Sequence, residues 1–131
     1  MCAILLSINP QYVERIMSGD KVYEFRKTQC KKKVDRIIIY STSPVMKVVG
    51  EAEVVDILVD DPQTIWKITE KKSGVKKDFF DMYYAGKDQA VAYKLNHVIQ
   101  YEVPRDLCEY GINTAPQSFC YIIQPKVLSP N

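Results

Sequence analysis

Within the ten residues "SGDKVYEFRK" (18–27), Lys21, Glu24 and Arg26 stand in a segment that otherwise has the apolar and aromatic content of a half-buried strand. An arginine carries five fixed N–H donors and keeps its charge, so on such a strand Arg26 needs a carboxylate, phosphate or carbonyl partner. Glu24 lies two residues away on the same face of a regular strand, within reach of Arg26 or of a ligand shared with it. Lys21 follows the helix-ending Gly19 and opens the strand. Its ammonium could hold an anion there or, once desolvated, act as a base with a lowered pKa. A structural ion pair and the wall of a polar pocket are both compatible with these charges.

Other residues offer weaker chemistry. Glu51 and Glu53 alternate with Ala52 and Val54, which puts both carboxylates on one strand face. They suit either an acid–base pair or an ordinary solvent-facing edge. His97 is the only histidine, and the four cysteines, Cys2, Cys30, Cys108 and Cys120, form no C-x-x-C pair. Neither a metal site nor a disulfide framework is signalled, so no metal and no cofactor are expected and the thiols read as reduced. Nine tyrosines accompany the basic residues, a combination that can stack bases. Tyr40 and Tyr121 are the candidates for that role, whereas Tyr83, Tyr84 and Tyr93 fall where a core also wants them.

At 131 residues, 47% hydrophobic and 26% charged, the chain suits one globular domain spanning residues 1–131. The net charge of +2 is too mild to demand a polyanion, although basic residues gather at 26–33 and 71–77. The opening "MCAILLSI" lacks a basic leader and no apolar run approaches a membrane span, so a cytoplasmic protein with no membrane contact is expected.

The elements that must hold these residues follow from local signals. "CAILLSI" reads as a strand buried on both faces. Asn9-Pro10 then supplies an N-cap and a first-turn proline, Val13, Ile16 and Met17 recur at helical spacing, and Gly19 closes the helix. "KVYEFR", "VDRIIIYST" and "KVVGEAEVVDILV" are strands, with Gly50 marking a bulge or bend in the third. Asp61-Pro62 repeats the cap signal ahead of "QTIWKITEKK", a helix offering Ile65, Trp66 and Ile68 to the core. "KKDFFDMYYAG" makes another helix, with Phe79, Phe80, Met82 and Tyr83 inward. "QAVAYKLNHVIQYEVP" and "SFCYIIQP" complete the order β-α-β-β-β-αα-β-β. That order has too few strands for a sandwich and too little alternation for a doubly wound sheet; an α+β fold fits, a small, partly open mixed β-barrel with a helix after strand one and a two-helix insertion.

The stretch "ILLSINPQYVERIMSGDKVYEFRK", with its G-x-K-x-x-E-x-R pattern, resembles the start of an ASCH domain, a PUA-like β-barrel family. The later "GEAEV", the helical insertion and the closing "PQSFCYI" extend the resemblance from about Ile4 to Ile123. It implies a cleft between the first helix and the barrel into which Lys21, Glu24 and Arg26 project. It also implies a module that binds RNA or a modified nucleoside, in the setting of transcriptional or translational regulation. In that case Lys21 and Arg26 hold phosphate or carbonyl oxygens, Glu24 accepts from a base or orients Arg26, and Tyr40 or Tyr121 stacks a base. The alternative it carries is a small hydrolase. One branch of the family is similar in architecture and deacylates an acylated cytidine with a lysine, a threonine and a glutamate; Lys21 matches the lysine, but Glu24 stands where the threonine is expected. A ribonuclease-like branch implies Lys21, Glu24 and Glu53 as the acid–base set. A peptide-binding cleft is a third reading.

Overall fold

The computed structural model describes residues 2–122. Six strands and three helices follow one another as β1 (Ala3–Ile8), α1 (Pro10–Ser18), β2 (Tyr23–Arg26), β3 (Arg36–Ser41), β4 (Lys47–Asp60), α2 (Pro62–Thr69), α3 (Lys77–Tyr83), β5 (Ala90–Arg105) and β6 (Phe119–Ile122), with short 3-10 turns at Glu70–Lys72 and Leu107–Tyr110. The expected order and the expected α+β architecture, a partly open mixed barrel with a helix after strand one and a two-helix insertion, are what is found. Residues 123–125, which the last strand was expected to include, lie outside the described residues.

The strands form one mixed sheet in the order β2-β5-β4-β3-β1-β6. β1 and β3 run parallel, Leu5 facing Ile38, because α1 and β2 intervene between them; the other pairings are antiparallel. The register between β4 and β5 shifts at three places and that between β3 and β4 at one. Such bulges bend a strand and increase its twist, which lets a flat sheet curl. Gly50 sits at one of them, as its sequence context suggests. A Cβ there would run into the backbone carbonyl of Ile99 and come within 2.7 Å of the Met17 side chain.

Three apolar clusters hold the sheet in shape. α1 lays Val13 and Ile16 on Ile4, Leu6, Ile37, Ile39 and Val91. The insertion packs Ile65 and Trp66 of α2 and Phe80 of α3 against Phe25 and Ala92. On the opposite side of the sheet, Leu5, Ile38, Tyr40 and Val48 form a third group. Two expectations for the insertion are corrected here. Ile68 is 54% exposed, and buried Thr69 takes its place, its hydroxyl donating to the carbonyl of Ile65. In α3, Phe80 and the following Tyr84 are the buried residues, whereas Phe79 and Met82 face outward and Tyr83 is half-buried. The pairing of Phe80 with Trp66 and Phe25, at ring separations of 5.0 and 5.1 Å, sets the rotation of α3 and leaves Phe79 and Met82 on its outer side.

Gly50→Ala is expected to lower stability by about 1–3 kcal/mol, since β4 and β5 must separate to admit a single methyl group. An unchanged urea midpoint would show that the close approach of these strands is not a constraint.

Candidate functional site

Asn9 and Gly19 define the two ends of α1 and thereby the position of Lys21. The Asn9 side chain accepts from the amide of Gln11 at 3.0 Å, and Gly19 adopts φ +90°, a left-handed conformation that ends the helix. The chain then turns back under α1, with the amide of Lys21 donating to the carbonyl of Arg15 at 2.9 Å. β2 follows as the edge strand of the sheet, Glu24 opposite Tyr93 and Arg26 opposite Val91. Phe25 goes into the core of the insertion, and Glu24 and Arg26 take the other face.

Glu24 and Arg26 are an ion pair and also wall a cavity. The guanidinium Nη2 of Arg26 donates to Glu24 Oε2 at 2.9 Å and to the Ser7 carbonyl, on β1, at 3.0 Å, while Nη1 reaches the Ser118 carbonyl at 3.4 Å. β2 and the β1–β6 pair stand at opposite ends of the sheet order, so this side chain spans the seam left open where the sheet curls round. Its Nε is buried with no hydrogen-bond partner. The peptide carbonyl of Arg26 accepts from the Tyr84 hydroxyl at 2.8 Å, which ties β2 to the insertion as well. Burial pushes the Tyr84 phenol above its ordinary pKa, so it stays a donor.

Beside this pair lies a cavity of about 170 Å3. Ser7, Lys21, Glu24 and Arg26 give it a polar side; Tyr12, Phe25, Phe79, Phe80 and Tyr83 give it aromatic walls. Lys21 is only 3% exposed. Its Nζ donates to the Ser73 carbonyl at 2.7 Å and lies 4.7 Å over the Phe25 ring and 5.7 Å from that of Tyr12. The stem leaves no room beside it, because a Cβ on Gly74 would collide with Lys21 carbons; Gly74 also has φ +69°. Burial among rings drags the Lys21 pKa down from 10.5 to about 8; the Glu24 carboxylate opposes that fall, and Arg15 and Arg26 add to it.

The structure thus brings Lys21, Glu24 and Arg26 together and leaves the other sequence candidates elsewhere. Tyr40 is 4% exposed in the cluster on the opposite side of the sheet, so its ring has no free face for a base. Tyr121 stands on the β6 edge, where its hydroxyl accepts from the Lys32 amide at 3.3 Å, outside the cavity wall. Glu53 faces His97 across 2.6 Å, and Glu51 accepts from Arg36 and Tyr101; neither lines the cavity. The aromatic wall from Tyr12, Phe79 and Tyr83 was missed as a site, and the Ser73–Gly74 support was missed altogether. Ser7 is the one aliphatic hydroxyl in the wall, and it donates to the Pro116 carbonyl at 2.8 Å, with no base beside it to make it a nucleophile. Among the described residues no group of His, Cys, Asp or Glu could hold a metal ion, and no helix is long and apolar enough to cross a membrane.

Glu24→Gln removes the one charge that favours the Lys21 ammonium, so the lysine pKa is expected to fall further below 8. Titration of 13C-dimethylated lysines by NMR measures it. A Lys21 signal titrating near 10.5 in the wild-type protein would contradict the burial described here.

Comparison with known proteins places this geometry. The ASCH domain model matches residues 6–105. Large ribosomal subunit protein uL22 of Ureaplasma parvum is 34% identical over 120 residues, which cover 91% of this chain and 39% of that protein's length. An ASCH domain-containing ribonuclease of Zymomonas mobilis is 30% identical over 92 residues, 70% of this chain and 62% of the relative. The crystal structure of ASCH from Zymomonas mobilis superposes with a TM-score of 0.86 at 25% identity, over 96% of this chain and 91% of that one. The alignment contains the whole of the Lys21, Glu24 and Arg26 segment, and the chain belongs to the ASCH domain family.

Proposed function

We propose that the chain, as one domain over residues 1–131, binds RNA by taking a single unstacked base or nucleoside into the cavity of Lys21, Glu24 and Arg26. The observation that carries this reading is the pairing of aromatic walls with a buried cation and a carboxylate in one small hollow. A volume of about 170 Å3 is below the roughly 300–1,000 Å3 of pockets for drug-sized ligands, so one ring system enters and the remainder of a ligand stays outside. Aromatic faces stack a splayed-out base, and buried polar groups read its edge. Lys21 donates to a carbonyl or phosphate oxygen, and Glu24 accepts from an amino group. The turn before Ser73 and Gly74 carries Lys71 and Lys72 and the residues after them include Lys76, which supply positive charge for the outer phosphates. The relative named as an ASCH domain-containing ribonuclease supports RNA as the ligand class. A cytoplasmic role in transcriptional or translational regulation belongs to this reading.

A second reading, cleavage of the bound strand, is favoured by the lowered Lys21 pKa and by the ribonuclease relative. With a pKa of about 8, roughly a tenth of Lys21 is neutral at pH 7. A neutral amine could take the proton from a ribose 2′-hydroxyl as its oxygen attacks the adjacent phosphorus; the P–O5′ bond breaks, a 2′,3′-cyclic phosphate forms, and the leaving 5′-oxygen takes a proton from water, with the Arg26 guanidinium stabilising the charge that develops on phosphate. The cavity offers less to deacylation, because Glu24 occupies the place of the hydroxyl nucleophile and Ser7 is not activated.

Binding of single-stranded RNA, followed by fluorescence anisotropy, should weaken as salt rises and fall at least tenfold in Lys21→Met. That variant keeps the length of the stem and relieves a buried charge, so its stability should hold or rise. Absence of binding at low salt, or equal affinity in the variant, would refute the site. If cleavage occurs, its rate should rise with pH and level off above about 8, the direction expected when the deprotonated form of a group with a lowered pKa is the active one. A rate that falls across that interval would remove Lys21 as the base.

A further inference from the structure

We propose that Tyr12, Phe79 and Tyr83, at the mouth of the cavity, form a second subsite that stacks the base adjacent to the one held inside; this rests on the RNA reading above. α3 satisfies the core with Phe80 and the Tyr84 that follows it, yet it also carries Phe79, 45% exposed, and the half-buried Tyr83 along the rim of the cavity. The Phe79 and Tyr83 rings lie within 15° of parallel at 6.0 Å, and Tyr12 comes from α1 to within 5.5 Å of Phe79. All three belong to the cavity wall, so the ridge continues that wall outward.

Charge identifies the occupant. Lys27 Nζ lies 4.7 Å over the Tyr83 ring, and the Arg15 guanidinium lies 5.4 Å over that of Tyr12, held there by its 2.6 Å hydrogen bond to the Gly74 carbonyl. A single exposed aromatic residue needs no explanation. A contiguous row of three, flanked by two cations and leading from a base-sized hollow, has the composition of a platform on which a strand stacks while its phosphates are neutralised. An apolar protein segment would cover the rings and leave both cations without a counter-charge, whereas a nucleotide brings a phosphate to them along with its base. The occupant is therefore a nucleotide adjoining the one in the cavity, within single-stranded RNA.

The test compares 5′-mononucleotides with 2′-O-methylated dinucleotides of adenine and uracil by isothermal titration. Each ligand carries one phosphate, the dinucleotide's diester bearing less charge than the mononucleotide's monoester, so a gain in affinity reports the second nucleoside, and methylation blocks cleavage through the 2′-oxygen. The wild-type protein should bind the better dinucleotide roughly tenfold more tightly than its mononucleotide. Phe79→Leu, which keeps apolar bulk at an exposed position, should cut that gain below twofold. Equal affinity for the two lengths in the wild-type protein, or a gain that survives Phe79→Leu, overturns the subsite; mononucleotide binding in the same titrations leaves the cavity reading standing. Failure of every ligand to bind overturns both. A dinucleotide that binds where its mononucleotide does not, with affinity lost in Phe79→Leu, supports the ridge and removes the cavity.

Discussion

One guanidinium bridges the open seam of the curled sheet. The curled sheet leaves β2 at one end and the β1–β6 pair at the other, and among the described residues no backbone ladder joins them. Arg26 fills that gap with donors to the Ser7 and Ser118 carbonyls and to Glu24, on side chains only 15% and 9% exposed. A buried pair of this kind adds little over an apolar replacement, but loss of one partner strands the other in low dielectric at a cost of roughly 3–5 kcal/mol. The pair therefore specifies where the seam closes more than how strongly the domain folds. Because the Arg26 carbonyl also receives the Tyr84 hydroxyl, the same residue fixes the insertion against the sheet. The cavity lies where these two attachments meet.

Lys21 is held in that hollow against an electrostatic gradient. An ammonium with 3% exposure among aromatic rings loses most of its hydration, and one carbonyl, two ring faces and the Glu24 carboxylate offset only part of the loss. The consequence for stability has a definite sign. The folded pKa lies below the unfolded one, so between about 8 and 10.5 the unfolded chain binds the extra proton, and the Lys21 contribution to stability rises with pH across that interval. Below pH 8 the charge is present in both states and its burial opposes folding. A cation kept under such conditions is readily satisfied by a ligand that brings an oxygen to it, which connects the energetics of the fold to the chemistry of the site.

Local signals made much of this legible in the sequence. Asn9-Pro10 and Gly19 delimit α1 because caps act within a few residues, and the period of two in a strand is enough to place Glu24 and Arg26 on one face. Whether those charges formed an ion pair or lined a pocket looked like a choice, and the folded chain does both. The remainder turned on partners distant along the chain. Ser73, which receives the Lys21 ammonium, is 52 residues away, and nothing near either residue announces the contact. Tyr40 reads as a candidate for stacking until β3 is seen to be an inner strand, with β4 and β1 on either side and core on both faces. In α3, the sequence offers several large apolar residues without saying which of them Trp66 will select, so Phe79, Met82 and Tyr83 read as core beside Phe80.

The most direct test is to map 15N amide shifts while adenosine or uridine 5′-monophosphate is titrated into the protein. Shifts concentrated on Tyr12, Lys21, Glu24, Phe25 and Arg26, and saturating together, are what a base entering the hollow requires. Saturable shifts confined to the Lys31–Lys33 loop or the β6 edge, with those five amides unmoved, would contradict it.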